Sequence, residues 1–394
     1  MLFNSTAEFA SKLKSFRLIA CLLTLFSFCI QPADAGLIVE FDYSFDTSSF
    51  FASQERRQIL TAAADSVNRW TDNLAAIQTS PGNTWTGIVI RPDTGIGTFI
   101  SGETLVIPQN MIKVYVGARN IGVNRLAAAE RNAAIPSGTA AWQDLVRYRG
   151  QASAALNQDY SLWGGSISFN PTFNWYDQAQ STGIPNNSYD LYSIAVHELL
   201  HVLGFGIAES FNAQVDAQNR FTGAHANAIG SPNNPELQLA LDWDHWSNTT
   251  QSTIAGTAQV SVMNATFLPG QRYRMTDLDA ATLSDIGWET ALAGDADRDR
   301  DVDINDMLTL VNNYGSTFAG WSDGDNNGDG IVDINDALTA VNNYGAGGTF
   351  ASSLAAAEWL EGHLAIPEPK ISACVSTIMC LIPVIFLIRS IRYG

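Results

Sequence analysis

The stretch that decides this fold is LYSIAVHELLHVLGF, residues 191–205. Its largely apolar composition predicts a buried helix, in which His197 and His201, four residues apart, project from one face. Two neutral imidazoles on one face supply half of a tetrahedral zinc site. Glu198, beside the first histidine, is placed to accept a proton from water activated at that metal. Because a buried apolar helix is a costly place for these three polar residues, the motif predicts a zinc-dependent hydrolase.

A catalytic zinc site needs a third protein ligand and an open fourth position. Downstream candidates are His225, in a loop of small residues, and His245, in the segment LDWDHW at 241–246. Glu236 is a further candidate of the kind used by thermolysin-like enzymes, although no helical Glu-x-x-x-Asp pattern surrounds it. The segment SVMN at 261–264 follows and is a candidate Met turn. The residues alone leave the third ligand open among these three.

The order of these motifs resembles the leishmanolysin-type metzincins and related bacterial peptidases. In that family a long insertion separates His-Glu-x-x-His-x-x-Gly-Phe from a third histidine, often followed by Trp, and then by a Met turn. The matching residues are His197, Glu198, His201, Gly204, Phe205, His245, Trp246 and Met263. The resemblance covers roughly residues 37–290, although only 190–290 is specific to the motif.

This resemblance implies that His197, His201 and His245 bind zinc and that Glu198 is the general base. Metzincins with the long motif carry His or Asp at the position of Ile207, which cannot bind zinc, so the resemblance favours His245 over His225 and leaves open a role for His225 in the site. The eukaryotic members are rich in disulfides, whereas residues 36–290 contain no cysteine. The chain therefore resembles a minimal bacterial relative. The sequence does not indicate which substrate it prefers.

An acidic internal repeat carries much of the net charge of −18. Residues 294–315 read GDADRDRDVDINDMLTLVNNYG, and residues 324–345 read GDNNGDGIVDINDALTAVNNYG. Oxygen side chains at alternating loop positions can wrap a hard cation such as calcium. The predicted calcium ligands are Asp295, Asp297, Asp299, Asp303 and Asp306 in the first loop, and Asp325, Asn327, Asp329, Asp333 and Asp336 in the second. Gly330 allows a sharp turn, whereas Arg300 replaces it in the first loop and predicts weaker binding there.

The repeat resembles the dockerin type I module, which consists of two calcium loops that are each followed by a helix. The resemblance implies a small all-α module and a protein partner that the sequence does not identify. Leu338, Val341 and Tyr344 recur at helical spacing after the second loop. A disordered acidic linker would not keep such apolar positions in both copies.

Both ends of the chain carry export signals. Basic residues precede the apolar run 18–30 and Ala33-Asp34-Ala35, which predicts a secretory signal peptide. Pro367-Glu368-Pro369 precedes the apolar run 371–388 and two arginines. This order resembles the Pro-Glu-Pro sorting signals recognised by exosortases, and a retained transmembrane anchor is the alternative. All four cysteines lie in these two end segments. The part of the chain between the segments contains no cysteine, so no disulfide is expected there.

Less specific patterns predict the remaining elements. The expected strands are Leu37–Tyr43, Thr84–Arg91, Met111–Val116 and Gly165–Asn170, and the expected helices are Glu55–Ile77 and Met275–Trp288. Trp163, Trp175 and Trp243 are expected in the core. The predicted fold is therefore α+β, with a metzincin-like catalytic domain of mixed sheet and long helices followed by the small all-α calcium module.

The predicted organisation is a signal peptide at 1–35, a zinc metallopeptidase-like domain at 36–290, a calcium-binding repeat at 294–345, a linker at 346–365 and a sorting signal with a transmembrane helix at 366–394. The predicted function is an exported zinc endopeptidase, at the cell surface or extracellular, that acts on protein or peptide substrates and meets sorting machinery at the membrane. The alternative is a non-catalytic surface interaction protein that binds calcium and has a structural or degenerate zinc site. The acidic charge disfavours nucleic acid as a partner.

Overall fold

The computed structural model describes residues 36–151 and 159–348 of the chain. The predicted signal peptide and sorting signal, with all four cysteines, lie outside the described residues, as does the linker from residue 349 onward. Among the described residues, no helix is both long and apolar enough to cross a membrane.

A four-stranded sheet lies beside the helix that carries His197 and His201, Leu191–Val202. Its strand order is β1-β4-β7-β5, in which β1, β4 and β7 are parallel and β5 is an antiparallel edge strand. These strands span Ile38–Asp42 (β1), Met111–Ala118 (β4), Ala127–Arg131 (β5) and Gly164–Phe169 (β7). Every residue of β7 is buried, as expected for a central strand that is covered on both faces. The edge position of β5 leaves one side of that strand without a partner from this sheet.

The remaining strands form smaller sheets. An antiparallel sheet of order β3-β2-β6 contains Thr84–Ile90 (β2), Gly97–Ser101 (β3) and Ala133–Ser137 (β6). Two-stranded pairs are formed by Trp175–Tyr176 (β8) with Tyr189–Asp190 (β9) and by Gln251–Ile254 (β10) with Thr257–Val260 (β11). In β2, buried residues alternate with more exposed ones, because only one face of this sheet packs on a core.

The described residues contain eight α-helices. They span Gln54–Val67 (α1), Ala140–Tyr148 (α2), Leu191–Val202 (α3), Glu209–Asn212 (α4), Ala224–Ile229 (α5), Asp277–Asp285 (α6), Ile304–Asn313 (α7) and Ile334–Asn343 (α8). A short 3₁₀ helix, Trp321–Asp323, precedes the second acidic loop. The predicted helix Glu55–Ile77 is wrong beyond Val67. Trp70 and Leu74 are fully buried as their spacing suggested, but they lie in an irregular segment.

The main core joins α1, α3, α6 and the four-stranded sheet, and a separate small core lies within the acidic repeat. Mixed sheets and helices of this kind confirm the α+β class. Trp163 is buried and Trp175 is partly buried against the main core. The expectation that Trp243 is a core residue is wrong, because its side chain is 52% exposed in the loop that precedes His245.

Candidate metal centre and cleft

The helix α3 positions the first two histidines. Its N-cap is Asp190, whose carboxylate accepts hydrogen bonds from the backbone N–H and the hydroxyl of Ser193. All twelve residues of the helix are buried, so His197 and His201 are held on one face by packing on every side. The chain then turns at Gly204, which has φ of +111°. A side chain there would also overlap the ring of Tyr160, so this turn requires glycine.

The structure brings His245 to the two helix histidines and keeps the other candidate ligands away. The Nε2 atoms of His197, His201 and His245 lie 3.1 Å from one another in all three pairs. His225 instead lies with its Nδ1 2.9 Å from the Asp285 carboxylate, and its side chain is exposed. Glu236 is exposed and lies near Arg220.

A different oxygen atom holds the Nδ1 atom of each histidine in the triad. His197 Nδ1 lies 2.7 Å from the Val262 carbonyl, His201 Nδ1 lies 2.9 Å from the Phe205 carbonyl, and His245 Nδ1 lies 2.9 Å from the Asp242 carboxylate. Each of these oxygens is an acceptor, so they assign the ring proton to Nδ1 in all three residues. The three Nε2 atoms therefore direct unprotonated lone pairs towards one another.

This arrangement fits zinc. Three convergent lone pairs without a proton between them repel one another, and a cation among them removes that repulsion. Ligands about 2.05 Å from a tetrahedral zinc ion lie about 3.3 Å apart, close to the 3.1 Å seen here. Burial lowers the pKa of His201 to about 3 and holds the pKa of His197 well below its ordinary value, so both rings are neutral and able to bind metal.

Glu198 lies in the same cavity as the three histidines and is 4% exposed. Burial, with a smaller contribution from the nearby Glu130, raises the pKa of its carboxyl to about 8. The backbone N–H of Ala129 in β5 and the charge of Arg125 act in the opposite direction. A carboxyl group whose pKa lies near neutrality is suited to both accepting and returning a proton.

The cavity is an open cleft of about 610 Å³. The edge strand β5 and the residues before it, 123–130, form one side of the cleft. Ala265, Thr266 and Phe267, which follow the segment SVMN at 261–264, also line it. The ring of Phe267 meets the ring of His197 edge-on at 5.2 Å. The cleft is therefore bounded by an extended strand on one side and by an aromatic wall beside the histidines on another.

Two aspartates that the sequence motifs did not single out hold the site together. Asp242 contacts His245 and precedes it by three residues, a spacing that could have marked it as an orienting carboxylate. Asp279 of α6 accepts hydrogen bonds from Ser261 and Val262 of the predicted Met turn and from the indole of Trp246. Since Val262 in turn contacts His197, α6 fixes the backbone that orients that histidine. Nothing in the sequence pairs Asp279 with a turn seventeen residues upstream.

The first acidic loop brings its predicted carboxylate ligands into clusters. Carboxylate oxygens of Asp295, Asp297 and Asp299 lie within 4.8 Å of one another, and those of Asp301, Asp303 and Asp306 form a second such group. Asp301 was not among the predicted side-chain ligands. In the second loop, Asp325 accepts hydrogen bonds from Gly328 and Gly330, and Asn327, Asp329, Asp333 and Asp336 accept equivalent backbone bonds.

The two loops share one backbone course. Gly328 and Gly330 have φ of 78° and 82°, and the corresponding Arg298 and Arg300 have φ of 62° and 74°. Burial raises the pKa of Asp306 to about 8 and that of its counterpart Asp336 to about 7. Buried, mutually repelling carboxylates of this kind fit a divalent cation, which would favour their ionised form.

No known protein family, curated protein or solved structure matches the chain.

Proposed function

We propose that the protein is a zinc-dependent endopeptidase. The observation that carries this proposal is the convergence of three unprotonated Nε2 atoms beside the buried carboxyl group of Glu198, in a cleft open to solvent. A purely structural zinc site has no use for an adjacent carboxyl group with a raised pKa or for an open position facing a cleft. These two features favour catalysis over a structural or degenerate metal site.

The histidines and Glu198 have different roles in the proposed peptide hydrolysis. His197, His201 and His245 would hold zinc, which when bound polarises the scissile carbonyl and lowers the pKa of water. Glu198 accepts the proton that the attacking water releases and passes it to the leaving amine. The backbone N–H of Ala129 in β5 lowers the pKa of the Glu198 carboxyl group and so favours its ionised form.

The edge strand supports a polypeptide substrate. One side of β5 pairs with β7, and residues of β5 line the cleft. An extended peptide can add to a free strand edge through main-chain hydrogen bonds. Ala127, Ala128 and Ala129 have small side chains, which leave room for that backbone to approach. This geometry supports cleavage within a chain that is bound in extended form.

The other parts of the predicted organisation belong to the same proposal. The acidic repeat would bind calcium through its two loops, and the signal peptide and the Pro-Glu-Pro segment would export the enzyme and sort it at the cell surface. The clustered carboxylates support the site in the first loop. The matching backbone course and the buried Asp325 and Asp336 support the site in the second. The export and sorting proposals rest on the sequence alone.

The proposal is tested by zinc analysis and casein cleavage with the purified protein. Glu198→Gln should keep its zinc and lose activity by at least about a hundredfold, because it removes the base and leaves the histidines in place. Glu236→Gln, which changes an exposed glutamate, is the matched control and should retain both properties. Wild-type cleavage rates in Glu198→Gln, or a wild-type protein without zinc, would overturn the proposal.

A further inference from the structure

Two arginines occupy backbone positions that favour glycine. Arg298 and Arg300 have φ of 62° and 74°, whereas the second acidic loop has Gly328 and Gly330 at the same places. A non-glycine residue in the left-handed region is strained, because its Cβ atom lies too close to the following carbonyl oxygen. The loop conformation itself therefore does not call for arginine, and the reason for these side chains must lie in what they contact.

Both arginines reach out of the repeat to the segment that follows α1. Arg298 donates a hydrogen bond of 3.1 Å to the Asn68 carbonyl, and Arg300 donates one of 2.6 Å to the Thr71 carbonyl. Arg300 also pairs with Glu289, which follows α6. A charged donor on a backbone carbonyl that would otherwise lack a partner is a strong, directional contact. Through these two side chains, the first loop of the repeat binds the segment that follows the end of α1.

The 3₁₀ helix of the repeat contacts the same end of α1. The Ser322 hydroxyl donates a 2.5 Å hydrogen bond to the Asp65 carboxylate. The guanidinium of Arg69 lies 5.0 Å from the ring centre of Trp321, where a cation and an aromatic face attract. A Cβ atom at Gly320 would overlap Asp65, so the two surfaces meet closely here.

A second part of the interface reaches the start of the zinc-motif helix. The ring of Phe318 lies 5.4 Å from the ring of Tyr192, the second residue of α3, which is 1% exposed. Arg272 lies near both rings, and its guanidinium makes a buried bidentate pair with Asp190, the N-cap of α3. Phe318 therefore covers the aromatic and charged cluster that fixes where α3 begins.

The second acidic loop closes over the same cluster. Arg274 donates a hydrogen bond to the Tyr192 hydroxyl. A Cβ atom at Gly330 would overlap the Arg274 guanidinium, so the loop backbone lies directly against that side chain. The positive charge of Arg274 also lowers the pKa of the buried Asp325 carboxyl, against a larger rise caused by burial. The second acidic loop thus contacts Arg274, and Arg274 in turn contacts Tyr192 of α3.

We propose that the acidic repeat is a brace for the zinc-motif helix and not a separately tethered binding module. Arg298, Arg300 and Phe318 are its positioning residues. They hold the repeat against the end of α1 and against Tyr192 in the first turn of α3, five residues before His197. The contacts between the acidic repeat and the helices α1 and α3 do not depend on the proposed function. The effect of the brace on a bound metal rests on that function.

The double variant Arg298→Gly/Arg300→Gly tests the first contact. Glycine preserves the left-handed turns and reproduces the second loop, so the loop can keep its conformation while the grip on Asn68 and Thr71 is lost. The brace predicts that thermal unfolding of the variant begins at a lower temperature than that of the wild type or separates into two transitions. Unfolding that matches the wild type would show that the two arginines do not hold the repeat against the end of α1 and would overturn the proposal.

Phe318→Ser tests the contact with α3. Its control is Phe99→Ser, which changes a 71% exposed phenylalanine on the edge strand β3. The brace predicts that Phe318→Ser releases cobalt(II), substituted for zinc, to a chelator at least about tenfold faster and changes the visible spectrum of the bound cobalt. Phe318→Tyr keeps the ring and should restore both properties.

The two proposals fail in different ways. A protein that binds neither zinc nor cobalt would remove the proposed function, and the unfolding of the arginine variant would still decide the brace. If cobalt release and spectrum in Phe318→Ser match those in Phe99→Ser, the repeat does not position α3, whatever the protein catalyses.

Discussion

The Asp242 carboxylate lies 2.9 Å from Nδ1 of His245 and thereby determines which nitrogen of that ring faces the other two histidines. His197 and His201 are oriented by backbone carbonyls within the buried core. His245 lies in a loop, and its orienting partner is a side chain that is 47% exposed. The third histidine is thus the member of the triad whose position depends most on a single replaceable contact.

Asp242→Ala should weaken zinc binding by about 10- to 100-fold, because the His245 ring loses the partner that fixes its tautomer and orientation. Zinc affinity is measured by competition with a chelator. Asp285→Ala is the matched control, since it removes a His–Asp contact of the same 2.9 Å length at His225. Equal zinc affinities in both variants would mean that Asp242 does not orient a ligand.

His245→Ala should lower zinc occupancy sharply, while His225→Ala should leave it near the wild-type level. The reason is the 3.1 Å separation of the Nε2 atom of His245 from those of His197 and His201, whereas His225 contacts Asp285. Elemental analysis of the purified variants decides the matter. The reverse pattern would assign the third ligand to His225.

The helical part of the site was predictable because its signal is local. His197, Glu198 and His201 are fixed on one buried helix by four-residue spacing and apolar flanks, and α3 is observed from Leu191 to Val202. The third histidine was harder to choose, because the residues between 202 and 245 form only short elements. Hydrophobic periodicity does not predict how such short elements are arranged in space. Tertiary contacts, such as that between Asp279 and Ser261, bring this part of the chain to the site.

The errors have a common physical cause. Trp70 and Leu74 continue the helical spacing of α1, but spacing reports burial and not hydrogen bonding, and the helix ends at Val67. Trp243 was placed in the core by its size alone, although it has φ of 71° in an exposed loop. A sequence likewise does not show that the Arg300 side chain hydrogen bonds to Thr71. The expectation of weaker calcium binding in the first loop stays a prediction.

Calcium should raise the unfolding temperature of the protein, since a cation bound only by the folded loops adds stability by mass action. Asp329→Ala should remove most of that increase. Asp299→Ala should remove less, because the left-handed Arg300 already makes the first loop costlier to form. Calorimetry with and without calcium measures the shift, and Glu103→Ala, an exposed carboxylate outside the repeat, is the control. No shift with calcium in the wild type would mean that the repeat is not a calcium site.

Asp72→Asn should stabilise the protein at high pH and have little effect at low pH. The Asp72 side chain is buried, and one of its oxygens accepts a hydrogen bond from the Glu289 backbone. Burial raises the pKa of this carboxyl from 3.8 to about 7, and the charges of Glu289 and Asp159 also raise it. Below about pH 3 the carboxyl is protonated in both the folded and the unfolded chain.

As the pH rises from about 4 to about 7, the unfolded chain releases this proton while the folded chain keeps it, so the free energy of unfolding falls. Above about pH 7 the full penalty, on the order of 2–4 kcal/mol, is present in the wild type and absent in the variant. Urea unfolding at pH 4.5 and pH 8.5 measures the difference. Asp216→Asn is the control of opposite sign, since the hydrogen bond from Arg220 lowers the pKa of that half-buried carboxyl. If Asp72→Asn changed the free energy of unfolding equally at both pH values, Asp72 would not carry the buried charge inferred here.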